Sequence, residues 1–168
     1  MSEPGADTCD VLEGSDVIRL EGTSWRDHLV AAYTVRCDPG WATRAVSIHL
    51  QVPQPERRLE LGSDGDGRWW RDGVEAPDLE GCMDADLECT PATNTLPIRR
   101  LGLRVGEGAE VAAAWVRFPS LEVQRLDQRY ERIAKDVFRY SSGSFRADLA
   151  VDEDGLALDY PGGWVRER

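Results

Sequence analysis

The sequence predicts one globular domain that is built mainly of β-strands. Its 168 residues are the length of a single domain that can bury a sizeable apolar core. Hydrophobic residues make up 41% of the chain and charged residues 30%, which is the balance of an ordinary globular protein. Several short stretches alternate between apolar and polar residues and are separated by Asp-Gly turns. This pattern is typical of antiparallel β-sheets.

The domain is expected to cover residues 11–168, after a short N-terminal tail. Residues 1–10 (MSEPGADTCD) are polar and are expected to form a loose tail. They lack the apolar run of a secretory signal. No stretch reaches the roughly 18 apolar residues that a membrane span needs. The expected location is therefore the cytoplasm, with no stable membrane anchor.

Net charge and cysteine spacing exclude several classes of partner. Asp and Glu number 31 and Lys and Arg 20, which gives a formal net charge of −11. Such a chain is repelled by nucleic-acid phosphates and by anionic membrane surfaces. Cys9, Cys37, Cys82 and Cys89 lack zinc-site spacing and are expected to be reduced thiols. No nucleic acid, metal or cofactor is therefore expected.

Two strands are predicted in the first third of the chain. Residues 28–36 (HLVAAYTVR) place alternate apolar side chains on one face, and residues 43–52 (TRAVSIHLQV) do the same. Pro53 and Pro55 should end the second strand, because proline cannot donate a hydrogen bond to a sheet.

Two Asp-Gly stretches predict tight turns between strands. Residues 59–73 contain DGDG before a tryptophan-bearing strand, and residues 151–158 contain DEDG between two apolar stretches. Glycine accepts the positive φ that such turns require. The first turn has the acidic spacing of a calcium loop, but Arg68 occupies a ligand position and excludes an EF-hand.

The middle of the chain predicts a covered strand and a buried helix. Residues 111–118 (VAAAWVRF) are almost wholly apolar, as in a strand that is packed on both faces. Residues 93–95 offer an N-cap, Pro97 suits a first helical turn, and Gly106 can end the helix. Apolar residues spread around this helix, which predicts that it is buried.

Residues 121–139 fit two secondary structures. Leu126, Tyr130, Ile133 and Val137 recur at the spacing of an amphipathic helix. Strands are the alternative, and this pattern alone does not decide between them.

A charged segment supplies candidate polar site residues. Asp84, Asp86 and Glu88 fall on one face of a predicted strand, and Arg99 and Arg100 follow on the predicted helix. The carboxylates suit sugar hydroxyls and an arginine suits an anionic head group. The same residues could instead form ion pairs that hold the helix against the sheet. Both interpretations stay open at this stage.

Aromatic residues supply candidate apolar site residues. Trp69 and Trp70 are adjacent on a predicted strand and should point to opposite faces. Trp115 and Tyr160 add large side chains with polar tips. Such side chains line lipid and sugar sites, but they also fill protein cores.

Residues 81–101 (GCMDADLECTPATNTLPIRRL), with DGDGRWW before them and VDEDGLALDYPGGWVR after them, resemble the putative glycolipid-binding family of bacterial proteins. The resemblance runs from about Val30 to the C-terminus. It implies a spiral β-roll, which is a long curled antiparallel sheet wrapped around a single α-helix. It also implies a homodimer, and strands rather than a helix over residues 121–139.

The leading functional hypothesis is a non-enzymatic protein that binds an amphiphile, such as a glycolipid, in an apolar cleft between sheet and helix. The candidate ligand-binding residues are Trp69, Trp70, Asp84, Asp86, Arg99, Arg100, Trp115 and Tyr160. The alternative is a structural or interaction protein that has no small ligand. Fold analogy is the basis for the ligand, so its identity stays open.

The least favoured hypothesis is a glycoside hydrolase that pairs Asp84 with Asp86. Residues two apart on a strand have Cα atoms roughly 6.5 Å apart, which suits paired carboxylates. Nearby arginines would, however, lower the pKa that a general acid needs raised. No Ser/His/Asp order or Gly-rich phosphate loop is present, so the sequence does not predict an enzyme.

Overall fold

The computed structural model describes residues 5–51, 55–161 and 164–165, and most of them lie in β-strands. The first sheet has seven strands in chain order, each antiparallel to the next. Its strands are β1 (Ala6–Glu13), β2 (Ile18–Arg26), β3 (Leu29–Cys37), β4 (Thr43–Gln51), β5 (Arg57–Ser63), β6 (Trp69–Arg71) and β7 (Val74–Glu75). The mainly β fold class is confirmed.

A second sheet has five strands in the order β12-β11-β10-β9-β8. Its strands are β8 (Asp84–Leu87), β9 (Gly108–Val116), β10 (Val123–Ala134), β11 (Val137–Ser142) and β12 (Phe145–Ala150). Neighbouring strands are antiparallel except β8 and β9, which run parallel. A two-stranded hairpin of β13 (Asp159–Tyr160) and β14 (Trp164–Val165) follows.

The predicted helix is present but shorter than expected. A 3-10 turn at Pro91–Asn94 leads into α1 (Thr95–Leu101). The Asn94 side chain makes no capping hydrogen bond with the helix. The helix ends at Leu101 and is capped by Gly102, whose φ of 56° is left-handed, so Gly106 does not end it. The first four helical residues are buried, whereas the two arginines near its end are partly exposed.

Two apolar clusters join these elements. The larger cluster connects the inner face of the first sheet to β8 and β9, through residues such as Leu20, Val46, Ala85 and Ala114. The smaller cluster packs the helical segment against the second sheet. Its buried members are Ile98, Leu103, Tyr130, Phe138, Tyr140, Ala147, Leu149 and Val151.

The predicted strands of the first sheet are confirmed with small shifts. Strand β3 starts one residue late, because Asp27 and His28 have φ values of 49° and 65° and form a two-residue turn. Strand β4 ends at Gln51. Val52 and Pro53, which were expected to finish that strand, lie outside the described residues.

The two Asp-Gly stretches differ in what flanks them. The first forms the expected turn between β5 and β6, where one Asp64 carboxylate oxygen accepts hydrogen bonds from the backbone N–H groups of Asp66 and Arg68. The second also forms a turn, but a single bridge between Val151 and Ala157 replaces the expected pair of strands.

Residues 121–139 form strands, as the family resemblance implied, and the helical alternative is wrong. Strand β10 pairs with β9 from Val123 to Glu131 and with β11 from Arg129 to Ala134. A register shift between Arg132 and Ala134 interrupts the second pairing. Gln128 and Tyr130 are both buried, as alternate residues of a strand are.

The single long antiparallel sheet of a spiral roll is not confirmed. The strand pairings divide into separate sheets, and β8 joins β9 in parallel rather than continuing from β7. The two sheets still meet where the Thr43 hydroxyl accepts a hydrogen bond from the Ala85 N–H at 3.1 Å.

The predicted loose tail is wrong for its second half. Strand β1 starts at Ala6 and pairs with β2 from Ala6–Trp25 to Glu13–Ile18. Residues 1–4 lie outside the described part of the chain.

No helix among the described residues is long and apolar enough to cross a membrane.

Candidate functional site

A pocket of about 460 Å³ lies against the second sheet, beside the 3-10 turn that precedes α1. Its polar lining includes Asp86 from β8, Glu88 directly after that strand, and Asn94. The expected cleft lay between the sheet and the helix. The pocket instead lies next to the segment that enters the helix.

Aromatic side chains form one wall of this pocket. The rings of Phe145 and Tyr160 stack with centroids 6.4 Å apart and planes at 21°. The Tyr140 ring lies 5.9 Å from Phe145. Trp115 on β9 is half-buried and lines the same space. Phe145 is 44% exposed, so this wall is open to an incoming molecule.

Asp86 is a partly buried acidic group of the pocket. The Gln128 amide donates a hydrogen bond to one carboxylate oxygen at 2.6 Å, and the Thr93 hydroxyl donates to the other at 3.4 Å. Burial raises the pKa of Asp86 to about 6, although both hydrogen bonds oppose this shift. No described residue forms an ion pair with Asp86. With a pKa of about 6, the carboxylate is mostly ionised at neutral pH.

Burial and the negative charge of Asp86 raise the pKa of two tyrosines of the aromatic wall. Burial raises the pKa of Tyr160 to about 12, and the Asp86 carboxylate adds to this shift. The pKa of Tyr140 is raised for the same two reasons. Both phenols therefore stay protonated at neutral pH and keep their ability to donate hydrogen bonds.

Asn94 and Glu88 are held in place by backbone and side-chain partners. The Asn94 amide donates to the Pro91 carbonyl at 2.9 Å, and its oxygen accepts from the Tyr130 hydroxyl at 2.8 Å. One Glu88 oxygen accepts from the Phe118 N–H at 2.9 Å. These contacts fix the polar side of the pocket before any ligand arrives.

Of the eight residues predicted for the site, the structure brings together Asp86, Trp115 and Tyr160. Asp84 and Arg100 lie outside this pocket and form a two-point ion pair. Arg100 donates to the two Asp84 oxygens at 2.9 and 2.6 Å, and the Asp84 side chain is 1% exposed. This geometry supports the interpretation of an ion pair that holds the helix against the sheet.

Arg99 also connects elements of the fold. It donates to the Glu13 carboxylate at 2.9 Å and to the Asp154 carbonyl at 3.3 Å. Its guanidinium lies 4.5 Å from the ring centre of Trp41. These contacts tie α1 to β1 and to the second Asp-Gly turn, away from the pocket.

The adjacent tryptophans point to opposite sides of β6, as predicted. Trp69 is buried, and its indole N–H donates to the Cys82 carbonyl at 2.8 Å. Trp70 is partly exposed and lies 5.4 Å from the Arg68 guanidinium. Neither tryptophan lines the pocket.

Sequence reasoning did not select Tyr140 or Phe145 as site residues. Glu88 was grouped with Asp84 and Asp86 as a polar candidate by their alternation, but it was not among the eight residues predicted to bind the ligand. Tyr140 and Phe145 carry no local signal, because they reach the pocket only through the pairing of β11 with β12.

Comparison with known proteins identifies relatives of the whole chain. A family described as "Putative glycolipid-binding" matches residues 1–166. The crystal structure of a DUF1089 family protein from Pseudomonas aeruginosa superposes with a TM-score of 0.85 at 34% sequence identity. The match covers 99% of this chain and 95% of that one. A search among curated proteins finds no match.

Proposed function

The chain belongs to the family described as putative glycolipid-binding, and we propose that it binds an amphiphilic ligand, such as a glycolipid, without chemically changing it. The observation that carries this proposal is the pocket beside β8. It combines an open aromatic wall with the partly buried Asp86 carboxylate. A ligand that has an apolar part and a polar head can satisfy both.

The two sides of the pocket suit the two parts of such a ligand. Trp115 and Phe145 offer flat apolar faces for an alkyl chain or the apolar face of a sugar. Asp86 offers acceptor sites for a polar head. The volume of about 460 Å³ lies within the range of small-molecule pockets, which runs from roughly 300 to 1,000 Å³. The pocket therefore holds a head group and the first part of a chain.

Binding without turnover is supported by where the carboxylates lie. The hydrolase hypothesis needs Asp84 and Asp86 on either side of one glycosidic bond. Asp84 instead lies in its ion pair with Arg100, outside the pocket. Glu88 does share the pocket with Asp86, so a binding experiment should also measure turnover.

Calorimetric titration with n-octyl β-D-glucoside below its micelle concentration tests the proposal. We expect saturable binding by the wild-type protein, with no release of glucose during prolonged incubation. Trp115→Ala should weaken this binding, because the indole supplies part of the pocket wall. Trp70→Ala is the matched control, since Trp70 is also a partly exposed tryptophan but lies outside the pocket.

Three outcomes would count against this function. Absence of binding by the wild-type protein would favour a structural or interaction protein that has no small ligand. Release of glucose would favour the hydrolase. Equal losses in Trp115→Ala and Trp70→Ala would show that the probe does not use this pocket.

The homodimer that the family resemblance implied stays part of the proposal. Strands β1 and β12 each leave one edge of a sheet without a partner strand in the described chain. Sedimentation equilibrium of the purified protein measures its mass directly, and a monomer mass at all concentrations would contradict the dimer.

A further inference from the structure

We propose that the pocket selects a head group that carries a protonated amine or a quaternary ammonium, such as an amino sugar, over neutral and anionic head groups. This inference rests on the proposed function and names the chemistry of its ligand. It follows from three features of the pocket, which are its uncompensated carboxylate, its aromatic wall and its balance of charges.

The first feature is the bonding state of Asp86. A carboxylate has about four acceptor positions, two on each oxygen. The described contacts use one position on each oxygen, from Gln128 and Thr93. Both partners are neutral, so they satisfy hydrogen bonds but leave the partly buried carboxylate without an ion-pair partner among the described residues. A cationic head group supplies both hydrogen bonds and the missing charge.

The second feature is the arrangement of rings around the carboxylate. Tyr140, Phe145 and Tyr160 form a continuous series of ring contacts, and Trp115 faces the same space. The negative face of an aromatic ring attracts cations, and clustered rings are a recurring site for quaternary ammonium groups. The rings and Asp86 therefore favour the same sign of charge.

The third feature is the charge balance of the lining. Among the lining residues that the structure describes, Asp86 and Glu88 are acidic and Arg26 is basic. The net charge of the whole chain, −11, reinforces this preference because it attracts cations and repels anions. An anionic head group would be repelled by two carboxylates and attracted by one guanidinium, so these charges disfavour its binding.

The test compares three probes that share one alkyl chain and differ only in the head group. These are n-octyltrimethylammonium, n-octyl β-D-glucoside and n-octyl sulfate, each titrated below its micelle concentration at low and at physiological salt. We expect the ammonium probe to bind at least about tenfold more tightly than the glucoside, which corresponds to one favourable charge contact. The sulfate should bind more weakly than either.

Variants assign the preference to the pocket. Asp86→Asn should remove most of the ammonium preference, since the amide keeps its polarity but loses the charge, and should weaken the ammonium probe more than the glucoside. Phe145→Leu retains apolar area but removes a ring, and should weaken the ammonium probe more than the glucoside. Arg26→Ala should leave ammonium binding unchanged or tighter. Thermal unfolding of each variant shows whether it is folded.

The outcomes separate this inference from the proposed function. If glucoside binds and the ammonium probe is no tighter, the inference is wrong and the amphiphile function stands. If the sulfate binds most tightly and Arg26→Ala abolishes its binding, the pocket selects anions. If no probe binds, the proposed function fails as well.

Discussion

A single glycine, Gly22 on β2, leaves space that the Tyr33 side chain occupies. A Cβ atom at Gly22 would lie 2.3 Å from the Thr8 carbonyl oxygen and 2.3 Å from the Tyr33 hydroxyl oxygen. The missing side chain leaves room for the Tyr33 hydroxyl to contact Asp7 at 3.2 Å and Thr90 at 3.1 Å. This residue thus permits a polar cluster that ties the first sheet to the segment before α1.

Gly22→Ala should therefore lower the free energy of unfolding by about 1–3 kcal/mol, the usual cost of overpacking a filled interior. Urea denaturation followed by circular dichroism measures the change. Gly62→Ala is the matched control, because Gly62 also lies in a strand but its added Cβ would meet nothing within 4 Å. Equal stability of the two variants would contradict the predicted clash.

Asp7, in the same cluster, makes stability depend on pH. Burial raises its pKa from 3.8 to about 6, against the hydrogen bonds from Thr90 and Tyr33. The folded state therefore binds more protons than the unfolded state between about pH 4 and pH 6. Stability contributed by Asp7 is present at low pH and is lost as pH rises through this window.

Asp7→Asn should abolish that contribution. Relative to the wild type, the variant should gain roughly 1–2 kcal/mol of stability between pH 4 and pH 7. Asp86 titrates in both proteins and cancels in the difference. Asp10→Asn, on the exposed face of the same strand, should show no such trend. A constant difference between Asp7→Asn and wild type across this range would refute the assignment.

At the scale of elements, the ion pair between Asp84 and Arg100 fastens α1 to β8. The Asp84 side chain is buried and the Arg100 side chain is 17% exposed. Removing one partner of such a pair leaves the other charge buried and unpaired, which is more costly than the pair is stabilising. The neighbouring Arg99 pairs with the more exposed Glu13 and belongs to a weaker class of contact.

Arg100→Ala should therefore destabilise the protein by about 3 kcal/mol or more, and Arg99→Ala by about 1 kcal/mol. Urea denaturation of the two variants and the wild type measures both changes in the free energy of unfolding. Adding Asp84→Ala to Arg100→Ala should recover part of the loss, because it removes the unpaired carboxylate. Octyl glucoside affinity should be unchanged in the Arg100→Ala protein that remains folded. A stable Arg100→Ala variant that has lost binding would instead make Arg100 a ligand residue.

At the scale of the whole molecule, the two sheets share one apolar core. The larger cluster contains residues of the first sheet, such as Val35 and Leu50, and residues of the second, such as Leu87 and Val116. The hydrogen bond from Ala85 to Thr43 crosses the same boundary. Neither sheet can cover its inner face without the other, so separate unfolding would expose apolar area on both.

The protein should consequently unfold in a single cooperative transition. Trp69 lies in the first sheet and Trp115 in the second, so tryptophan fluorescence reports on both. Its denaturation midpoint should coincide with that of far-UV circular dichroism. Two separated transitions would show that the sheets are independent folding units.

The alternation of apolar and polar residues predicted strands well where one face of the strand is buried. It predicted poorly where the same apolar spacing fits both a strand and a helix. Residues i and i+2 share a strand face, so the alternation at residues 28–36 and 43–52 was sufficient. Leu126 and Tyr130 are four apart, and residues four apart share a face in a helix and in a strand alike. The ambiguity over residues 121–139 therefore lay in the spacing itself, and pairing with β9 and β11 resolved it.

The sequence alone determined the mainly β class, the turns at Asp-Gly and the opposite faces of Trp69 and Trp70, because each depends on residues close in the chain. Only the tertiary structure decided that β8 pairs in parallel with β9 and that Asp84 and Asp86 have different partners. These partners lie 16 and 42 positions away along the chain. Contacts at such separations depend on which strands pair, and no local period specifies that choice.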